Sequence, residues 1–93
     1  MLTLDQTLRI HPDAVDTELD TDELVVLQLE SKSYYSLNAT GMRIWRGLKT
    51  GLTLAEISRL LQVEFEVGSE EANRSVLRMA DELSREKLVQ MSG

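Results

Sequence analysis

The sequence predicts an α+β fold in which a three-stranded antiparallel sheet is followed by three helices. Two features of the apolar pattern predict this order. Short alternating or dense apolar runs occur between residues 15 and 37, and amphipathic stripes of helical period with capping signals follow them. Strands and helices are thus segregated along the chain, which favours an antiparallel sheet packed on helices over alternating βαβ units.

Three strands are predicted before residue 38. The first lies at residues 15–19, where "VDTEL" alternates apolar and polar residues. An acidic turn, "DTDE", leads to a second strand at 24–29, predicted by the dense apolar run "LVVLQL". The polar connector "ESKS" and the aromatic run "YYSL" then predict a third strand, Ser33–Leu37, paired with the second as a hairpin.

The third strand meets the first helix directly. Because side chains alternate along a strand, Tyr35 and Leu37 should share one face, and Tyr34 and Ser36 the other. Asn38 is a favourable N-cap for the helix that follows. One tyrosine can therefore fill the core while the other points elsewhere.

Three amphipathic helices follow the strands. The first ends near residues 50–51, the second opens at Thr53 with a capping box to Glu56 and ends within 63–66, and the third begins at 68–69. The predicted apolar stripes of the three helices are Gly41, Ile44, Trp45 and Leu48; then Leu54, Ile57, Leu60 and Leu61; then Ala72, Val76, Met79, Ala80 and Leu83.

Length and composition exclude several classes of function. Ninety-three residues make a single domain, 1–93, too small for two lobes with a catalytic cleft between them. The chain has no cysteine, so a disulfide, a thiolate metal site and a cysteine nucleophile are excluded. His11 is the only histidine and has no catalytic signature around it, so we expect it at the surface or at a strand end. The sequence favours a protein without enzymatic activity, metal or cofactor.

The N-terminal segment carries no targeting signal. It lacks both a basic start and a long apolar run, so we expect neither a signal peptide nor a transmembrane span, and a cytoplasmic protein without a membrane partner. Residues 1–10 have no clear pattern. They are either disordered or form an additional strand segment.

The net charge of −6 is concentrated in the N-terminal part. Residues 1–37 contain eight acidic and two basic residues, whereas 38–93 contain eight of each. A calcium loop counted from Asp16 would require Gly at its sixth position and Glu at its twelfth, and these positions hold Thr21 and Leu27. We therefore interpret the acidic stretch 13–23 as solvated edges and turns that prevent association between sheets, and not as a metal site.

A hairpin and three helices are also the parts of a winged-helix DNA-binding domain. The third helix would enter the DNA groove, and its N-terminal end reads "SEEANR". The two carboxylates there and the negative net charge oppose contact with phosphates, so nucleic acid is a disfavoured partner and a DNA-binding regulator an alternative.

The edge of the third strand offers another function. Its outward N–H and C=O groups can accept an extended peptide as an added strand, while a groove beside a helix selects side chains. Two alternatives stay open. In the first, the two tyrosines serve only to pack the end of the strand. In the second, the edge pairs with a second copy of the chain in a homodimer.

One block of the sequence is characteristic of a known family. It reads "YYSLNATGMRIWRGLKTGLTLAEISRLL" at residues 34–61 and is followed by a helix and "DELSREKLVQ". From about Val15 onward the chain resembles the PqqD-like family, the small peptide-recognition domains of pathways that modify ribosomally made peptides. The resemblance implies a winged-helix-like fold that binds the leader segment of a precursor peptide as an antiparallel strand beside the third strand.

The resemblance also implies which residues bind the leader. The site would consist of the third strand and of a helix at residues 69–86, with cleft residues flanking the apolar stripe of that helix. Arg78 could instead form a solvent-exposed i,i+4 pair with Glu82. The implied peptide-binding residues are Lys32, Ser33, Tyr34, Tyr35, Ser36 and Leu37 on the strand, and Arg74, Leu77, Arg78 and Asp81 on the helix.

The implied partners are a precursor leader peptide and a leader peptidase or other modifying enzyme. Within the family, the sequence is most similar to the free-standing leader-binding proteins of lasso-peptide pathways. The precursor-peptide chaperone of pyrroloquinoline quinone (PQQ) biosynthesis, which serves a radical enzyme, is the alternative. Either role would be non-enzymatic.

Overall fold

The computed structural model describes residues 2–91 and has the predicted α+β architecture. The bounds of the strands and helices are β1 Leu8–Ile10, β2 Ala14–Asp20, β3 Glu23–Gln28, β4 Ser33–Leu37, α1 Ala39–Lys49, α2 Leu54–Phe65, α3 Ser69–Arg85 and β5 Val89–Met91. Strands β2, β3 and β4 form a three-stranded antiparallel sheet in that order, and the three helices follow it, which confirms the predicted fold class.

The three-stranded sheet has one face against the helices and one face outward. Leu24, Val26 and Gln28 of β3 are buried, whereas the residues between them are more exposed. On β4, Tyr35 and Leu37 lie on the helix side and Tyr34 and Ser36 on the outer side, since Val26 is paired with Tyr35 and Leu24 with Leu37. The predicted alternation of the two tyrosines is confirmed.

Strand β2 is fastened to α1 by charged contacts. Trp45 Nε1 and Lys49 Nζ donate hydrogen bonds to Asp16 Oδ2 at 2.6 and 2.7 Å. Partial burial of Asp16 opposes ionisation, but the hydrogen bonds from Lys49 and Trp45 outweigh it and lower the pKa of the carboxyl. A further ion pair joins Glu18 to Arg46. The inward-facing acidic residues of β2 are therefore compensated.

The first ten residues contribute an additional strand. Strand β1 pairs antiparallel with β5, with Leu8 opposite Met91, and Leu8 is buried in the core. The His11 N–H continues the pairing by donating to the Leu88 carbonyl at 2.9 Å. Of the two possibilities that the sequence left open for this segment, the strand is the one formed. Three-residue strands are too short to show a period of their own, so the pattern gave no sign of it.

The helix ends follow the predicted capping signals. Asn38 Oδ1 accepts from the Gly41 N–H at 3.0 Å, and Thr53 and Glu56 form the reciprocal capping box of α2. Helix α3 begins after Gly68 and carries acidic residues in its first turn and Arg85 in its last. None of the helices within residues 2–91 is long and apolar enough to cross a bilayer.

One core is shared by the sheet and all three helices. Trp45 is its largest buried side chain, and Gly47 lets α1 approach α2 closely, because a Cβ there would lie 2.6 Å from Ile57 Cγ1. The buried stripe of α3 consists of Ala72, Val76, Ala80 and Leu83. Met79, predicted in the same stripe, is only half-buried and lies at its border.

Candidate functional site

Strand β4 is an uncharged, open edge of the sheet. It pairs only with β3, so within residues 2–91 its other edge has no strand partner. In an antiparallel pair, the N–H and C=O of every second residue point away from the neighbouring strand and remain free to bond elsewhere. The strand reads Ser-Tyr-Tyr-Ser-Leu and therefore lacks the charged residues with which proteins usually protect such edges.

A groove runs between β4 and α3. It consists of three depressions of about 230, 290 and 240 Å³; the first shares Asn38 and Met79 with the second, and Glu82 with the third. We call it the β4–α3 groove. Its strand side is formed by Tyr35, Ser36, Leu37 and Asn38, and its helix side by Ser75, Arg78, Met79, Glu82, Arg85 and Glu86.

The floor of the groove is apolar and closely packed. A Cβ at Gly41 would lie 3.2 Å from Leu37 Cβ and 3.3 Å from Met79 Cε, so the strand end, α1 and α3 converge there. Ile44 lies beside this point and is fully buried. Asn38, which caps α1, fixes the direction in which the chain leaves β4. The groove therefore has a rigid base.

The walls of the groove are mainly acidic. Interaction with the Glu86 carboxylate raises the pKa of the Tyr35 hydroxyl, and Glu82 adds to the effect. Arg85 is already engaged in an ion pair with Asp81. The predicted alternative pair between Arg78 and Glu82 is not formed within residues 2–91, which leaves Arg78 as the cation without an ion-pair partner in this groove.

The acidic character extends to the far end of the groove. Asp22, from the turn between β2 and β3, and Glu23, the first residue of β3, line the depression beside Leu37. Neither forms an ion pair with any residue from 2 to 91. The groove thus combines an apolar floor with negatively charged walls, and an extended segment with apolar and basic side chains would complement it.

The residues predicted for the site fall into two places. Ser33–Leu37 forms the open strand, Lys32 lies in the preceding turn with a positive φ of 60°, and Arg78 lines the groove. The structure does not bring Arg74, Leu77 and Asp81 to this groove. They line a separate depression of about 420 Å³ together with Leu2, and Arg78 borders both depressions.

Sequence reasoning missed several residues of α3 that line this groove. These are Ser75, Met79, Glu82 and Glu86, spaced by three or four positions, so they form a row of their own beside the buried stripe. The row was visible in the sequence, and the missing information was which side of the stripe turns toward the sheet.

An open, uncharged sheet edge beside a helix-lined groove has the geometry at which a small domain can add a strand from an extended peptide. Comparisons with known proteins identify the family of the chain. The family model for coenzyme PQQ synthesis protein D (PqqD) matches residues 23–89, and the chain belongs to that family. No curated protein matches the chain significantly.

Two solved structures share the fold. One is described as TbiB1 in complex with the TbiA(beta) leader peptide; it is 30% identical, and the alignment covers 87% of this chain and 93% of that one with a TM-score of 0.82. The other, lasso peptide synthetase B1 complexed with the leader peptide, is 24% identical, with 88% and 95% covered and a TM-score of 0.80. The predicted membership of the PqqD-like family is confirmed.

Proposed function

We propose that this protein binds the leader segment of a ribosomally made precursor peptide as an added strand on β4 and delivers it to a modifying enzyme. The observation that carries the proposal is the open edge of β4, uncharged and placed directly beside the β4–α3 groove. A leader strand paired with β4 would satisfy the free N–H and C=O groups and place alternate side chains in the groove. The role is non-enzymatic.

The solved relatives support this proposal. Both are described as complexes with a leader peptide, and TbiB1 shares the fold over nearly its whole length at 30% identity. A lasso-peptide leader is therefore the first candidate ligand, and a leader peptidase the first candidate enzyme. The family model is that of a PQQ synthesis protein, which makes a PQQ precursor peptide the second candidate.

The proposed site consists of Ser33–Leu37 with Lys32, and of Arg78 on the helix. To these we add Ser75, Met79, Glu82 and Glu86, which line the helix side of the groove. The assignment of Arg74, Leu77 and Asp81 stays a prediction, since a leader would reach their depression only after passing Arg78.

A proline scan of β4 tests the mechanism of binding. Proline lacks the N–H, so Tyr34→Pro, Tyr35→Pro and Ser36→Pro should have alternating effects. Where the N–H points away from β3, the variant should fold and lose leader binding. Where it points toward β3, the variant should lose a ladder bond and stability.

Leader binding is measured by fluorescence polarisation with labelled leader segments of the precursor peptides encoded beside this gene. A PQQ precursor segment and a DNA duplex are titrated in parallel. Saturable binding of one leader alone identifies the pathway. If every folded proline variant bound the leader at full strength, the strand-addition mechanism would be wrong. If the protein bound only the DNA duplex, it would be a DNA-binding regulator instead.

A further inference from the structure

The outer face of the three-stranded sheet carries an apolar row across all its strands. Val15 is paired with Leu27, and Leu27 with Tyr34, so the three side chains stand side by side at strand spacings of about 4.8 Å. They are 45%, 37% and 71% exposed, and Leu29, just beyond β3, is 49% exposed. We call Val15, Leu27, Leu29 and Tyr34 the outer-sheet patch.

This row departs from the usual pattern of a two-layer protein. A sheet with one face on the core normally presents polar side chains on its solvated face. Contiguous exposed apolar side chains rimmed by polar ones are typical of a surface that another molecule covers. The patch residues do not line the β4–α3 groove, because the groove lies on the helix side of the sheet.

The charged residues around the patch indicate which charge a binding partner should carry. The two ends of the sheet carry Asp20, Asp22, Glu23 and Glu30, which lie in or next to the turns that follow β2 and β3, all exposed and without an ion pair within residues 2–91. The acidic residues on the inner side of β2, in contrast, are paired with Arg46 and Lys49. Unpaired carboxylates therefore lie at both ends of the outer face, and two of them, Asp22 and Glu23, also border the β4–α3 groove.

The acidic rim disfavours several occupants. In a symmetric dimer built on this face, the same acidic turns would approach each other, and only Lys32 offers a positive charge between residues 13 and 37. Phosphates of a nucleic acid or an anionic membrane would be repelled in the same way. The complementary occupant is a protein surface that is apolar at its centre and bears Lys or Arg at its rim.

We infer that the outer-sheet patch docks the modifying enzyme through such an apolar, basic-rimmed surface. The identity of this partner rests on the proposed leader binding. A leader strand added to β4 would extend the same face, because its side chains alternate between the groove and the outer side next to Tyr34. The enzyme then contacts the carrier and the leader on one continuous surface, and it binds the loaded protein more tightly than the empty one.

The test measures binding of each purified processing enzyme encoded beside this gene, with and without leader, to wild type and to the double variant Val15→Thr/Leu27→Thr. Threonine keeps β-propensity and removes the apolar contact. We expect enzyme affinity to fall about tenfold or more, while leader binding is unchanged because both residues lie outside the groove. The control, Leu60→Gln/Val63→Gln, removes two apolar side chains on α2 that are more exposed still, and it should change neither affinity.

A second variant covers the case in which the threonine variant fails to fold by circular dichroism. Asp20→Asn/Glu30→Gln removes two rim charges without changing side-chain shape, and it should weaken enzyme binding at low salt and flatten its salt dependence.

The inference would be wrong if the threonine and rim variants bound the enzyme at full strength, or if the wild-type protein bound no enzyme. It would also be wrong if the α2 control lost as much enzyme affinity as the threonine variant, or if the wild-type protein were a dimer that the threonine change dissociated. If wild type failed to bind any leader but bound an enzyme through the patch, the proposed function would be wrong and the docking surface would stand.

Discussion

The two flanks of α3 differ in what they face, although both border the same buried stripe. The sheet flank, Ser75, Met79, Glu82 and Glu86, lines the β4–α3 groove beside Tyr35 and Leu37. The outer flank, Arg74, Leu77 and Asp81, lines a depression with Leu2, and two of its charges are already paired, Arg74 with Glu70 and Asp81 with Arg85. The rotation of α3 about its axis therefore determines which of its side chains can line the groove, because both flanks carry polar and apolar residues.

The largest expected effect comes from placing a long cation on each flank in turn. Met79→Arg should obstruct the groove floor next to Leu37 and Gly41 and weaken leader binding by about thirtyfold or more, the range of a binding hot spot near 2 kcal/mol. Leu77→Arg is the matched control, since Leu77 is also half-buried and lies on the same helix. Fluorescence polarisation measures both dissociation constants.

Both variants should remain folded, because a half-buried arginine can extend its charged end to solvent. If Leu77→Arg weakened binding and Met79→Arg did not, the leader would follow the outer flank, as the sequence first suggested. If neither changed the dissociation constant, the groove would not be the binding site.

A smaller effect is expected from the charges of the sheet flank. Glu82→Gln/Glu86→Gln should weaken a leader that has a basic side chain in the groove by about threefold, the range of solvent-exposed ion pairs. A leader whose basic residue is replaced by glutamine should bind both proteins equally, and Glu71→Gln in the first turn of α3 is the control. The double-mutant cycle isolates the pairing. Equal losses with both leaders would show that the carboxylates act on stability and not on the leader.

Most of the fold could be predicted from local signals. The strand Ser33–Leu37, the Asn38 cap and the Thr53–Glu56 capping box each follow from a few neighbouring residues, and the structure has them where the sequence placed them. The pairing of β1 with β5 joins residues 8–10 to residues 89–91, which are far apart in sequence, so no local pattern predicts it.

The candidate site was only half predictable for a related reason. Alternation along β4 fixes the faces of Tyr34 and Tyr35 because the strand has just two sides. A helix stripe instead leaves two flanks, and the periodicity that identifies Ala72, Val76, Ala80 and Leu83 is the same whichever flank turns toward the sheet. The short distance between Met79 and the Gly41 position shows which flank of α3 turns toward the sheet, and only the folded structure gives that distance.

The smallest expected effect tests the sheet flank without any ligand. In a Tyr34→Phe background, Tyr35 is the only tyrosine. The Glu86 carboxylate raises its pKa above the ordinary 10.0, so Glu86→Gln should shift the tyrosinate absorbance to lower pH, and Glu71→Gln should not. Because the folded state favours the neutral phenol, this contact contributes stability that is complete below pH 10.0 and is lost as the pH rises through the raised pKa. An identical titration with and without Glu86 would show that Tyr35 does not contact the sheet flank in solution.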